Sequence, residues 1–359
     1  MILLCFSLIG FIDLVFDLHL GLKDEFNQGL ATMGSLSLSM LGILTVGVVF
    51  IQSHIDTITS FTSFLPFDPS VIFGAFLPPD MGGYSISSEI ASSTKMLFLN
   101  GVLLSSIMGQ TITFQIPVFA GALESKEHPL LFQSFIYGII VIPVGLLLGG
   151  VLIGLDFSTL LINWLPILLL CGLIAVFMKL ASSIMIRIFS IFAKIIQYIT
   201  YLLFLIAVVG YLFPSYAYVE VTLLQETMLT ILKMGLIVAG SLVLSKIVLR
   251  YFGTVIKKVA DRLGINEVAM IGLILSFATS LAMLPLYNKM DHKGKMINGA
   301  FSVSGAYFMG GQLAYISSMQ SGSIITIYIV TKLICGFLSI LVVCLLTKKP
   351  KDQELFKGE

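Results

Sequence analysis

The chain has 359 residues, 57% of them hydrophobic and 11% charged, with 20 Lys and Arg against 19 Asp and Glu and a formal net charge of +1. A soluble domain carries about 25% charged residues, so this composition excludes an ordinary cytosolic enzyme, a nucleic-acid binder and a disordered chain. A polytopic membrane protein fits, and at about 20 residues per span the length allows roughly ten crossings.

The first apolar segment, 2–20, has no basic flank and contains Asp13 and Asp17, so it reads as a span and not as a cleaved leader. These two acids are four apart and share a helical face. They suit either a proton or cation relay or a membrane-end turn facing Lys23. Further apolar segments fall at 30–53, 97–120, 130–153, 158–179, 187–213, 227–249, 293–318 and 322–346. Two other segments are interrupted. Pro66, Pro69, Pro78, Pro79, Gly82 and Gly83 break 66–92, and Ser276, Thr279, Ser280 and Pro285 break 264–288. Each spans once or enters the membrane and returns, which requires cover by protein or water.

Positive charge decides between these. If both interrupted segments are hairpins and the N-terminus is outside, all but three of the 20 Lys and Arg lie on the cytoplasmic side. The exceptions are Lys95, outside, and Lys233 and Lys332, within spans. If both segments cross, the charges split evenly. The positive-inside rule favours nine crossings plus two hairpins, with the C-terminus cytoplasmic.

An internal repeat points the same way. Met33-Gly34, Lys95-Met96, Asn100-Gly101 and Gly109-Gln110 recur in order as Met234-Gly235, Lys295-Met296, Asn298-Gly299 and Gly311-Gln312, at offsets of 198 to 202. The expected organisation is a first repeat, 1–153, a linking span in 154–186, a second and inverted repeat, 187–346, and a cytoplasmic tail, 347–359. The fold class is therefore an all-α polytopic membrane protein with two inverted repeats, about nine transmembrane helices and two re-entrant helical hairpins. Inverted repeats with interrupted membrane segments are the pattern of secondary transporters.

The hairpin tips carry the chemistry. Asp68-Pro69-Ser70 predicts a helix start, with Asp68 as N-cap and Pro69 at the first helical position. That helix must stop at Pro78-Pro79, which leaves its C-terminal carbonyls at membrane depth. Asp80-Met81-Gly82-Gly83-Tyr84 follows. An ionisable group at this depth is a functional candidate, and Asp80 with free carbonyls suits a small organic cation. It equally suits a cap of the second hairpin arm, and the two roles are compatible. Thr279 and Ser280 fall at the second tip, where they cap a half-helix or bind a ligand hydroxyl.

Asn100, Gln110, Asn298 and Gln312 lie on the spans after the hairpins, where amides glue helices together or line a path. Gly109, Gly310 and Gly311 beside them serve close packing or the site. Lys332 lies deep in the last span, as a counter-charge, a coupling group or half of a salt bridge. Glu89 stands near the base of the first hairpin. Cys5, Cys171, Cys335 and Cys344 lack zinc spacing, and no nucleophile elbow, zinc-protease pattern or phosphate loop occurs. Neither metal, cofactor nor enzymatic activity is expected.

Four stretches resemble the bacterial ethanolamine permease family: residues 26–42 (FNQGLATMGSLSLSMLG), 80–84 (DMGGY), 108–118 (MGQTITFQIPV) and 290–319 (MDHKGKMINGAFSVSGAYFMGGQLAYISSM). The resemblance implies uptake of ethanolamine across the cytoplasmic membrane. Two places depart from it. The family pattern has Gly-Asp-His-Leu-Gly where this chain has Gly310-Gly311-Gln312-Leu313-Ala314, and often Asn-Asn at Thr279-Ser280. Loss of an acid and a His there would change selectivity or remove proton coupling.

Together these readings predict a permease working by alternating access through facilitated diffusion, with the site between the hairpin tips. Asp80 and the hairpin carbonyls would hold the ammonium, with cation–π support from Tyr84. Thr279, Ser280, Gln110 or Gln312 would hold the hydroxyl. The hairpins and spans 97–120 and 293–318 would move as one elevator-like unit in a homodimer. A carrier for another small amine, amino acid or small anion is the alternative, as is a non-transporting membrane sensor.

Overall fold

The structure, a computed structural model, describes residues 2–62 and 64–347. Beyond Thr347, the expected cytoplasmic tail lies outside the described residues. All regular structure among the described residues is helical. In chain order, α1 (Ile2–Phe16) precedes α2, a pair bent by 46° (Lys23–Leu38 and Met40–Ser53). After a short helix at Ile55–Thr62 come two more, α3 (Ser70–Phe76) and α4 (Gly83–Ile90), joined through a 3-10 turn at Pro79–Met81. Then come α5 (Thr94–Ala120), α6 (His128–Ile153), α7 (Phe157–Leu180), α8 (Ser183–Leu212) and α9 (Val221–Tyr251). The chain ends in α10 (Gly253–Leu263), α11 (Glu267–Ala278), a 3-10 stretch at Ser280–Lys289, α12 (His292–Ser304), α13 (Gly311–Met319) and α14 (Ser323–Leu346).

Six helices, α5 to α9 and α14, are long and apolar enough to cross a membrane, and counting α2 as one span makes seven. Nine crossings were expected, and two of those segments take another form. The 15 residues of α1 reach about 22 Å at 1.5 Å per residue, short of the roughly 30 Å hydrocarbon core. Segment 293–318 is broken: α12 stops at Ser304 and α13 starts at Gly311.

The break has a local cause. Tyr307 sits in the left-handed region at φ 66°, a conformation that costs a side chain and needs outside support. Its N–H donates to the Ser276 carbonyl at 3.0 Å, and the Met309 N–H donates to Phe277 at 3.0 Å. These carbonyls are the unpaired last turn of α11. Each interrupted segment thus satisfies the other's backbone, as a low-dielectric interior demands. Only glycine fits at 310, because a Cβ there would collide with the Ala278 carbonyl.

The first hairpin is held at its base by Asp68. Its Oδ1 accepts from the Ser70 N–H at 3.0 Å and from the Ser70 hydroxyl. Its Oδ2 accepts from the Ser92 N–H at 2.9 Å and the Ser92 hydroxyl at 2.5 Å. The first of these bonds is the N-cap that Asp-Pro-Ser predicts; the Ser92 bonds join the far arm to it. At the tip, Gly82 turns the chain at φ 102°, a value that favours glycine. In the second interrupted segment only α11 is an α-helix. The return arm is a 3-10 stretch containing Pro285, which has no N–H for an α-helical bond.

The helices sort into two groups. In one, α9 packs on α1 and α2, and α8 packs on α2. In the other, α3 and α4 pack on α5, α11 on α12, α12 on α6 and α14, and α6 on α7 and α14. The most apolar stretch of α5 is 83% buried and that of α8 is 17% buried. So α5 is core, whereas α8 presents most of its apolar surface outward.

Candidate functional site

A cavity of about 1060 Å³ lies between the two helix groups. Exposed residues of its lining include Gln28, Lys194 and Gln197. Six of the eleven residues expected to bind substrate line it: Asp80, Met81, Gln110, Thr279, Gly311 and Gln312. They come from four places, namely the first hairpin tip, α5, the end of α11 and the start of α13. The Pro79–Met81 turn packs directly on α13, which brings the first hairpin tip beside the helix that carries Gly311 and Gln312.

Asp80 carries the strongest signal. Its Oδ1 is buried and has no hydrogen-bond partner. An unpaired buried carboxylate is costly unless a cation or donor joins it. The carbonyls around it are less free than the sequence suggests. Phe73 accepts from Leu77 N–H, Pro78 accepts from the N–H groups of Met81 and Gly83, and Phe76 accepts from the Thr113 hydroxyl. The carboxylate is therefore the main cation acceptor at the tip.

The other five expected residues are not part of the lining. Gly82 and Gly83 are buried in the turn. Tyr84 is buried; its hydroxyl accepts from Gln320 Nε2 at 2.6 Å, and its ring meets Tyr315 edge-on with centroids 5.9 Å apart. Ser280 is fully buried behind the wall, 2.7 Å from the Tyr307 hydroxyl and donating to Gln115 Oε1 at 3.1 Å. Asn298 donates to the Ala269 carbonyl at 2.8 Å and to Gly294 at 3.0 Å, which fastens α12 to α11. Asn100 does comparable work at the first hairpin, donating to Ser70 Oγ at 2.9 Å and fastening α5 to α3.

The four charges of open role separate. Asp13 is buried and accepts from the N–H groups of Leu20, Leu22 and Lys23 at 2.9, 2.7 and 3.1 Å, so it ties the α1–α2 turn. Asp17 pairs with Lys23 at 2.8 Å in the open, and that ammonium holds its carboxyl below the ordinary value. Both acids serve the membrane-end turn. Glu89 is half-buried on α4, apart from the cavity. Lys332 is buried, and its Nζ donates to the Ser106 carbonyl at 2.8 Å and to Gln312 Oε1 at 3.1 Å. Its partners are oxygens of neutral groups, with no carboxylate pairing to it among the described residues.

Sequence reasoning missed Tyr307 and the α8 wall of Lys194, Gln197 and Thr200. Tyr307 had a signal, a tyrosine between Gly305 and the pair Gly310-Gly311. The α8 residues had none, since polar residues near a span end are commonplace. No cluster of three or more metal-ligating side chains occurs among the described residues.

Comparison with known proteins is consistent across the chain. Residues 1–346 match the family described as "Ethanolamine utilisation protein, EutH". A "Probable ethanolamine permease EutH" from Listeria monocytogenes is 30% identical over 341 residues, covering 95% of this chain and 91% of that protein. The protein YxeR of Bacillus subtilis is 30% identical over 331 residues, covering 89% and 86% respectively. A "Probable ethanolamine permease EutH" from Salmonella typhimurium is 29% identical over 359 residues, covering 92% and 86%. No solved structure matches. The permease names of these relatives describe transport rather than catalysis.

Proposed function

Since this chain belongs to the EutH family of ethanolamine utilisation proteins, we propose that it is a permease carrying ethanolamine across the bacterial cytoplasmic membrane. It is a multi-pass helical membrane protein, and the permease names of its relatives support a small solute as cargo. The observation that carries the reading is Asp80, a cavity-lining acid whose Oδ1 is buried without a partner. Ethanolamine is mostly cationic at neutral pH and has one hydroxyl. Asp80 takes the ammonium, and the Thr279, Gln110 and Gln312 side chains on the same wall offer partners to the hydroxyl.

Two further points support the transport reading. With Lys and Arg collected on the cytoplasmic side, the exposed lining at Lys194 and Gln197 faces the cytoplasm. The Tyr84–Gln320 bond and the Tyr84–Tyr315 contact then cover the opposite path, which makes the conformation inward-facing. The equivalent bonds of Asn100 and Asn298 to the preceding hairpin helices support two repeats, inverted in the membrane, with 66–92 and 264–288 as re-entrant segments. Asp80 is the one carboxylate among the described lining residues, in keeping with facilitated diffusion.

The cavity between two helix groups suits alternating access, with the group carrying α3, α4, α5, α11 and α12 moving against α1, α2, α8 and α9 in a homodimer. A short bis-maleimide joining Thr113→Cys and Gln197→Cys across the cavity should arrest uptake. Full transport with the link in place would count against the moving block.

Saturable uptake of labelled ethanolamine into proteoliposomes tests the function itself. A folded protein that takes up none would turn attention to another small amine. The departures at Thr279-Ser280 and Gly311-Gln312 keep that second reading in view, and competition by a panel of amines and amino acids separates the two.

A further inference from the structure

We infer that Lys332 is a positioning residue that fixes which end of the Gln312 amide serves the substrate, and so sets the site's selectivity for an amino alcohol over a diamine. The inference rests on the ethanolamine reading above.

Gln312 lines the cavity and is 3% exposed. Its amide has one oxygen that only accepts and one NH2 that only donates. Two neighbours touch that oxygen. The Tyr328 hydroxyl lies 3.3 Å from Oε1 and 3.0 Å from the Tyr307 carbonyl. A hydroxyl has a single proton, and the nearer carbonyl can only accept it. The Tyr328 oxygen could then receive an N–H from an inverted amide equally well, so Tyr328 does not choose the orientation.

Lys332 does choose. In its protonated form it has three donors and no acceptor, and its Nζ stands 3.1 Å from Gln312 Oε1. An inverted amide would set N–H against N–H. Lys332 is itself fixed by the Ser106 carbonyl at 2.8 Å, on the central helix α5. With the oxygen so engaged, the Gln312 Nε2 is left buried and without a partner. A buried donor with no acceptor needs an explanation, and a cavity wall provides one.

Two orphan groups of opposite hydrogen-bonding character therefore belong to residues that line one cavity. Asp80 Oδ1 accepts and Gln312 Nε2 donates. Ethanolamine complements both, with an ammonium that only donates and a hydroxyl oxygen that accepts. The dication of 1,3-diaminopropane, in which both ends stay protonated at neutral pH, has donors at both ends, so its second ammonium meets the Gln312 N–H groups and leaves both sides unsatisfied. If the amide were inverted, the wall would offer two acceptors, and the diamine would fit instead.

The test is competition against labelled ethanolamine in proteoliposomes of the full chain at neutral pH, with unlabelled 1,3-diaminopropane and ethylamine as competitors. The native protein should be inhibited weakly by the diamine. Lys332→Met frees the amide to turn, and Gln312→Glu replaces the donor by an acceptor while keeping Lys332 in place. Each should improve diamine competition relative to ethylamine by about tenfold or more, the scale of one hydrogen bond gained or lost. A purely structural role would depress all substrates together and leave the ratio unmoved. If Lys332→Met fails to fold, Gln312→Glu carries the test. An unchanged ratio in a folded, transporting Gln312→Glu protein overturns the inference and leaves the permease reading intact. No ethanolamine uptake by the native protein overturns both, and that arm is scored first.

Discussion

Replacing Asp80 by Asn is expected to weaken ethanolamine uptake by at least about 30-fold while leaving the fold as stable as before or slightly more so. The two halves of this expectation have one cause. In the empty site the Asp80 Oδ1 is buried with nothing bound to it, and the bond that the carboxylate takes from its own backbone N–H is one that the Asn carbonyl oxygen can also accept. Neutralising an unpaired buried charge removes a desolvation cost. In the loaded site the same group would be the sole anionic partner of a desolvated ammonium. Losing one member of such a pair costs about 2–5 kcal/mol, and the lower end corresponds to roughly 30-fold in affinity. The neighbouring carbonyls do not replace it, since Phe73, Phe76 and Pro78 already accept other donors. Concentration dependence of uptake and thermal unfolding, measured on the same preparation, check both halves. Lost uptake together with a clearly lower unfolding temperature would mean that Asp80 is a structural cap instead.

Asp68→Ala is expected to produce the opposite pattern, a large loss of stability with transport failing as a consequence. This carboxylate receives four donors, two from Ser70 and two from Ser92, which lie at the two ends of the first hairpin. Bonds to a charged acceptor are worth about 1.5–3 kcal/mol each, and donors left buried add their own penalty. The network acts as a unit, so a total of about 3 kcal/mol or more is expected. Asp68→Asn retains one acceptor oxygen and should fall between. Unfolding temperatures of the three proteins, with protease cleavage near residues 66–92 as a local readout, test the order. Equal stability of all three would show that the hairpin base is held by other contacts.

The contrast between these acids shows what could be read early. Both are Asp residues beside a proline in the same segment. Asp68 is legible as a cap because Asp-Pro-Ser is a local helix-start pattern, and the bond to the Ser70 N–H is local too. Its reach to Ser92 is not legible, because it depends on how the hairpin closes. Asp80 is legible as a candidate because a charge at membrane depth stands out in any apolar run. Its convergence with Thr279 and Gln312 was half legible, through dipeptides recurring about 200 residues apart. Asn298 was grouped with Gln312 on the same grounds, yet it binds α11 and not the cavity. Which face an amide takes depends on the helix's rotation, and a span apolar on all sides carries little periodic signal of that rotation.

The break between Ser304 and Gly311 escaped the sequence for a related reason. Hydropathy averages over about 18 residues, and glycine is common in membrane helices, so Gly305 and Gly310 do not lower the average enough to mark a gap. The break becomes stable only where α11 presents the carbonyls of Ser276 and Phe277 to it.

Composition, charge placement and proline–glycine interruption determined by themselves that this is a helical membrane protein with two broken segments and an acid at one tip. Those properties are local or additive, so they survive without coordinates. Only the tertiary structure decided that Asp80, Gln110, Thr279 and Gln312 share a cavity, that Tyr84 and Ser280 stand behind it, and that Lys332 holds Gln312. Each of those outcomes depends on hydrogen-bond partners supplied by helices distant in the chain, and a buried polar group takes whichever partner the packing brings to it.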